Sequence, residues 1–204
     1  MSWPPTVPFW QVTQRMGFQP VPADLAEFSR WAGYLWYGPP DPSGQWPGVV
    51  VKSDEWRGTV DGAGVSVIQL AQLKGYHRSY TLLDSALNAG HTELFLGVRV
   101  SLRHSAGTGK LVANRLFPVP IVPPPTIVEH FSVLTSEIPL LELFADLGVQ
   151  NVLSNLLDTW ISVYYETLVV HMPDFNDPRV EQRLHTVVAL AAAIDAYLDR
   201  QAPA

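Results

Sequence analysis

The segment Gly107-Thr108-Gly109-Lys110 has the residue types of a phosphate-binding loop. A Walker A loop also needs a glycine five residues before the Gly-Lys pair, a Ser or Thr after it, and a following helix. Here His104 and Leu111 occupy those two places, and the residues that follow predict a strand. We therefore interpret the segment as a hairpin loop rather than a nucleotide site.

Histidines are the next candidates for chemistry, but their spacing does not assemble a site. No two of them lie at the i, i+2 or i, i+4 separation that places imidazoles on one face. His171 with Asp174 and Asp177 comes nearest to a ligand set, although Asp177 is expected to cap the last helix. We predict no metal site, no cofactor and no catalytic residue. The six histidines are His77, His91, His104, His130, His171 and His185.

Basic residues form the one candidate binding site for an anion. Arg99 and Arg103 share a face of the predicted strand Leu94–Arg103, whose alternation predicts one buried and one mostly hydrated face. If that strand pairs with Leu111–Phe117, then Lys110 and Arg115 join them. Such a patch could bind a phosphate, a carboxylate or an acidic protein surface. The alternative is the ordinary solvated side of a half-exposed sheet.

One carboxylate stands in apolar surroundings. Glu166 lies within Ile161–His171, which is β-branched and aromatic on both faces and predicts a single interior strand. A buried Glu166 would have a raised pKa and could contact a ligand. We favour instead a position that faces water, because unpaired carboxylates are rarely buried.

The aromatic residues are unevenly distributed. Six of the seven tryptophans fall in the first 56 residues. Trp and Tyr are enriched at the centres of protein interfaces, and they also fill hydrophobic cores. We assign Trp31 to the core and leave the cluster as a whole divided between core and partner contact. The predicted partner-binding residues are Trp3, Phe9, Trp10, Trp36 and Trp46.

Composition narrows the class of protein. The chain has 204 residues, a net charge of −6, 47% hydrophobic and 16% charged residues, and no cysteine. The missing cysteines exclude disulfides and thiolate chemistry. The negative charge argues against nucleic-acid binding. No apolar stretch approaches the roughly 18 residues that a membrane-spanning helix needs, and the first residues do not have the pattern of a signal peptide. We therefore expect a cytoplasmic protein that does not insert into membranes.

The organisation of the chain follows from proline and glycine. Residues 1–23 read as an aromatic, proline-rich arm whose prolines exclude a regular helix, and the arm is expected to lie on the body or on a neighbouring subunit. Residues 24–117 predict a lobe with a helix at 25–37 and an antiparallel sheet, including a hairpin at Asp61-Gly62 and a strand at 79–83. Five prolines within 118–125 form a stiff connector, either a lobe boundary or a surface crossover.

The second half, residues 126–204, predicts a β–α–β–α arrangement with a helix break near Gly148 and a last helix beginning at Pro178. The predicted class is α+β, with an antiparallel β-meander sheet and helices mainly on one face. We expect a non-enzymatic protein-binding or assembly protein, with a protein partner or a homo-oligomer, that uses the aromatic arm. The alternative is a small-molecule sensor or enzyme with an anion-binding sheet face.

Overall fold

The structure is a computed structural model that describes residues 8–22, 49–51, 54–73, 92–113, 131–134, 137–157, 159–172 and 179–202. The predicted helix at 25–37, the strand at 79–83 and the proline-rich segment 118–125 lie outside these residues. Within them the chain is α+β, as the sequence predicts, with one antiparallel sheet and a long C-terminal helix packed on it. Among the described helices, none is long and apolar enough to cross a membrane.

The sheet has nine strands within the described residues, and every pairing is antiparallel. The strand order is β1-β3-β4-β5-β9-β8-β6-β7, and β2 pairs with β4 beyond the end of β3. Strands from both sides of segment 118–125 therefore share one sheet. The strands are β1 (Gln19–Val21), β2 (Val49–Val51), β3 (Glu55–Val60), β4 (Ala63–Leu73), β5 (Thr92–Ser101), β6 (Thr108–Ala113), β7 (Phe131–Leu134), β8 (Trp160–Tyr164) and β9 (Thr167–Met172).

The hairpin predicted at Asp61-Gly62 is confirmed. Asp61 and Gly62 both have positive φ, 49° and 82°, and Val60 pairs directly with Ala63. Two successive residues with positive φ define a type I′ turn, which matches the twist of antiparallel strands. Aspartate tolerates this backbone conformation better than most residues, and glycine adopts it without steric cost.

The expected pairing of β5 with β6 is wrong, and so is the hairpin loop expected at residues 107–110, because Thr108, Gly109 and Lys110 belong to β6. β5 pairs with β4 and β9, and β6 pairs with β8 and β7. The segment 161–171, predicted as one interior strand, is a hairpin whose turn is Tyr165-Glu166. This hairpin inserts its two strands between β5 and β6. Its strands have the buried character that the sequence predicts, because both of their faces are covered.

The arm contains a helix that the prolines were expected to exclude. Helix α1 (Phe9–Arg15) lies between Pro8 and Pro20 in a stretch without proline, and Pro8 is its N-cap residue. Proline is compatible with a helix start, since the first N–H groups have no partner within the helix. After α1 the chain turns at Gly17, whose φ is 84°, and enters β1, which pairs with β3.

Three helices follow in the described part of the second half: α2 (Ile138–Ala145), α3 (Leu147–Leu153) and α4 (Val180–Gln201). The predicted break near Gly148 is confirmed and falls at Asp146. The side chain of Asp146 accepts hydrogen bonds from the main-chain N–H groups of Gly148 and Val149, so it caps α3. Helix α4 begins at Val180 rather than at Pro178.

Helix α4 covers one face of the sheet. It contacts β3 and β5, and it is flanked by α1 and α3. This face includes the cross-strand row Val67, Val98, Val170 and Ile161, whose four residues are fully buried in the hydrophobic core. The opposite face, which the strand alternation predicts to be mostly hydrated, is also buried along β8 and β9, at Ser162, Val169 and His171.

Candidate functional site

The outer side of α1 presents an exposed tryptophan. Trp10 is 43% exposed, and its exposed neighbours on the same short helix are Gln11, Gln14 and Arg15. We call these four residues the α1 surface. An indole beside amide groups and an arginine has the composition of an interface centre, where aromatic residues and arginine are enriched and carboxylates depleted.

The inner side of α1 fixes this surface to the body. Phe9, Val12 and Thr13 are buried, and the Thr13 hydroxyl donates to the carbonyl oxygens of Phe9 and Trp10 at 3.2 and 3.1 Å. The ring of Phe18 fills the space over Gly58 in β3. The described part of the predicted arm is therefore an integral layer of the fold. Trp10 is held on a rigid support rather than on a free tail.

The predicted partner-binding residues fall into three groups: one in the core, one on the surface, and three outside the described residues. Phe9 is 2% exposed and belongs to the hydrophobic core, so it does not contribute to a contact surface. Trp10 does reach the surface. Trp3, Trp36 and Trp46 lie outside the described residues, and their roles stay predictions.

A polar row crosses the face of the sheet opposite α4. The strand registers place Arg57, Ser66, Arg99, Val169, Ser162 and Lys110 side by side on successive strands. Arg99 and Lys110 thus share a row, but β9 and β8 separate them by three strand spacings, roughly 14 Å. Direct pairing of β5 with β6 would have brought these basic residues together in a compact patch. The structure separates them along the row instead.

Glu55 is the buried charge of this face. Its side chain is 4% exposed; Oε2 accepts a hydrogen bond of 2.7 Å from Arg57 Nη2, and Oε1 lies 3.6 Å from Arg99 Nη2. Burial lowers the pKa of the Arg99 guanidinium. One carboxylate thus lies between two guanidinium groups on this face. Sequence reasoning missed Glu55, although its spacing of two from Arg57 along a strand places both on one face.

Arg103 does not share the face of Arg99. Strand β5 ends at Ser101, and Arg103 lies in the following loop, where it binds α4. Its Nη2 donates to Asp199 Oδ2 at 2.8 Å and its Nε lies 3.5 Å from Asp195 Oδ2. His104 Nε2 is 2.8 Å from Asp199 Oδ1. The predicted anion-binding set is therefore divided: Arg99 and Lys110 lie in the polar row, Arg103 pairs with aspartates, and Arg115 is outside the described residues.

Glu166 faces water, as we favoured from the sequence. It is exposed in the turn between β8 and β9, and its carbonyl oxygen accepts a hydrogen bond from the N–H of Leu102. The same turn exposes Tyr164 and Tyr165, whose rings contact edge to face with centroids 4.7 Å apart. Glu166 is therefore not a buried carboxylate.

A cleft of about 510 Å³ lies between the end of α3 and the start of α4. It is separate from the polar row and was not anticipated from the sequence, because its two walls are distant along the chain. Its described lining residues are Ser154, Asn155, Leu157, Arg179, Gln182, Arg183 and Thr186.

Comparison with known proteins supplies no relative for this arrangement. No protein-family model, no curated protein and no solved structure matches the chain.

Proposed function

We propose that this chain is a non-enzymatic protein-binding component of an assembly, and that the α1 surface is a contact site. The observation that carries the proposal is the 43% exposure of Trp10 on a helix whose other side is buried. A large indole left in water on a rigid support loses little conformational entropy when a partner covers it. The low charged fraction of 16% is in keeping with such a role.

The partner that this surface suits is a protein with an apolar pocket and backbone acceptors. The indole N–H, the amides of Gln11 and Gln14 and the guanidinium of Arg15 are hydrogen-bond donors around one apolar ring. A second copy of the chain is one such partner. Burial of an anchor tryptophan commonly accounts for 2 kcal/mol or more of binding free energy, about thirtyfold in affinity.

The test is native mass spectrometry of tagged full-length chain recovered from its own cells. Trp10→Ala is compared with Tyr165→Ala, which removes an exposed aromatic ring outside the α1 surface. The proposal expects a stoichiometric partner or oligomer with the natural chain and with Tyr165→Ala, and its loss with Trp10→Ala. A complex that survives Trp10→Ala intact, or a monomer in all three samples, contradicts it.

A second candidate function, recognition of a small anion on the sheet, is favoured by Glu55. This buried carboxylate lies between two guanidinium groups, 2.7 Å from Arg57 Nη2 and 3.6 Å from Arg99 Nη2. A ligand oxyanion could be bound by the same guanidinium groups. Thermal unfolding with a panel of anionic metabolites tests this function, since a ligand at 100 times its dissociation constant adds about 2.7 kcal/mol of stability. No stabilisation by any anion rejects it.

A further inference from the structure

We propose that the cleft between α3 and α4 binds a small organic molecule through a phosphate or carboxylate group. This site is distinct from the α1 surface and from the polar row of the sheet. Its volume, about 510 Å³, lies within the range of ordinary small-molecule sites. A bare inorganic ion would occupy only a part of it, so the ligand is expected to carry an organic body.

The first reason is the charge of the lining. Arg179, the N-cap residue of α4, and Arg183 are four residues apart, about one helical turn, so they lie on the same side of the helix. Among the described lining residues these two guanidinium groups are accompanied by no carboxylate. Glu181 lies in the same turn but is exposed and is not part of the described lining. The described walls of the cleft therefore favour an anion.

The second reason is the position of the cleft at the start of a long helix. Helix α4 has 22 residues, and its N-terminal end has the positive pole of the helix dipole. The N-cap residue is Arg179, whose side chain has no hydrogen-bond acceptor and cannot cap the first N–H groups. A bound oxyanion can accept from N–H groups at such a terminus. The helix dipole and the two arginines therefore both favour the binding of an anion.

The third reason is the burial of Arg183. Its exposure is 8%, which is unusual for an arginine. Both arginines also make other interactions within the protein. Each guanidinium has five N–H donors in a fixed plane, so it can keep an internal partner and still bind an oxyanion. Arg183 is thereby held in place by its surroundings, as a ligand-binding group needs to be.

The remaining lining residues define what else the ligand meets. Ser154 Oγ and Asn155 Nδ2 both donate to the carbonyl oxygen of Asn151, and Thr186 Oγ1 donates to that of Gln182. The hydroxyl groups of Ser154 and Thr186 have thereby used their donors, whereas the Asn155 amide keeps a second N–H. The guanidinium groups and the amides of Asn155 and Gln182 can therefore recognise the anion. Leu157, 36% exposed, offers one apolar contact for the organic body.

The experiment is isothermal titration calorimetry of the full chain at constant ionic strength with three probes of similar shape. Phenyl phosphate and benzoate distinguish the two oxyanions, and benzyl alcohol is the uncharged control. The site is tested by Gln182→Glu, which places a carboxylate in the lining. A negative charge in the first turn of α4 is compatible with folding, because the helix dipole favours it there. Gln19→Glu, at an exposed position of β1 outside the cleft and the α1 surface, makes the same charge change elsewhere.

We expect at least one oxyanion to bind with a dissociation constant of about 1 mM or tighter, and benzyl alcohol not to bind. Gln182→Glu should weaken that binding by about tenfold or more, through repulsion at short range, and Gln19→Glu should leave it unchanged. The proposal is overturned if neither oxyanion binds at about 10 mM, if benzyl alcohol binds equally well, or if Gln182→Glu binds like the natural chain.

Discussion

The main-chain N–H of Arg103 donates a hydrogen bond of 2.9 Å to Oδ1 of Asp195, which ties the loop after β5 to the middle of α4. Asp195 is 6% exposed, so its carboxylate is removed from water and depends on this donor and on the Arg103 side chain. A buried carboxylate that accepts a main-chain hydrogen bond holds two distant segments in a fixed relation. Arg103 thus has a structural role that its position near a strand end did not reveal.

Replacing Asp195 should therefore destabilise the fold. Asp195→Ala leaves the main-chain N–H of Arg103 without its acceptor, and such a loss costs about 1–3 kcal/mol of unfolding free energy. Urea denaturation of the natural chain and the variant measures it. Asp199→Ala, at an exposed position of the same helix, is the matched control and should cost less. An Asp195→Ala variant as stable as the natural chain would show that the contact does not stabilise the fold.

The stability contribution of Asp199 should depend on pH. The hydrogen bond from Arg103, with the neighbouring His104, holds the pKa of the Asp199 carboxyl below its ordinary value. A depressed pKa in the folded state means stabilisation that is present above the unfolded pKa and lost as pH falls through the folded pKa. The natural chain should thus be more stable than Asp199→Asn near pH 6, with the difference shrinking through the acid range below about pH 4. A difference that is constant over that range contradicts this assignment.

Gly58 should not tolerate a side chain. A Cβ at this position would overlap the ring of Phe18, which is 1% exposed and cannot move outward freely. Overpacking of this kind costs about 1–3 kcal/mol, so Gly58→Ala should lower the midpoint of thermal unfolding. Gly64→Ala is the control, because no atom lies within 4 Å of the added Cβ there. Equal midpoints for the two variants would show that Phe18 does not close over β3 in this way.

Phe9 and Trp10 are adjacent but should behave oppositely on substitution. Phe9 is in the core, and Phe9→Ala should cost about 3–5 kcal/mol of unfolding free energy because it leaves a cavity. Trp10 is 43% exposed, so Trp10→Ala should cost much less. Urea denaturation of the purified variants distinguishes the two. If Trp10→Ala proves the more damaging change, the indole is part of the core and the α1 surface does not exist as described.

Local signals explain which parts of the fold could be predicted. The Asp61-Gly62 turn and the helix break at Asp146 depend on residues within a few positions of each other, so short-range steric and capping rules suffice. The placement of the β8–β9 hairpin between β5 and β6 depends on pairings between residues 48 to 76 positions apart, and alternation along one strand does not specify its neighbour. The turn at Tyr165 carries no glycine signal although its φ is 48°, so 161–171 reads as one strand.

The candidate sites were predictable to a smaller extent. The exposed Trp10 belongs to the group of tryptophans that the sequence places within its first 56 residues. Arg99 was identified as a charged residue of the sheet, but its partner Glu55 lies on β3, two strands away, and only the register brings them together. The cleft of Arg179 and Arg183 depends on α3 packing beside α4, which the amphipathic pattern of each helix does not define.

Hydroxyl-radical footprinting tests most directly the claim that the α1 surface is a protein contact. Oxidation of Trp10 is compared between the purified chain and the complex recovered from its own cells, with Tyr165, 50% exposed on the β8–β9 turn, as the internal reference. The account expects Trp10 to be oxidised several times more slowly in the complex while Tyr165 reacts at an unchanged rate. Equal oxidation of Trp10 in the two samples contradicts the claim, because a buried anchor must be protected from solvent.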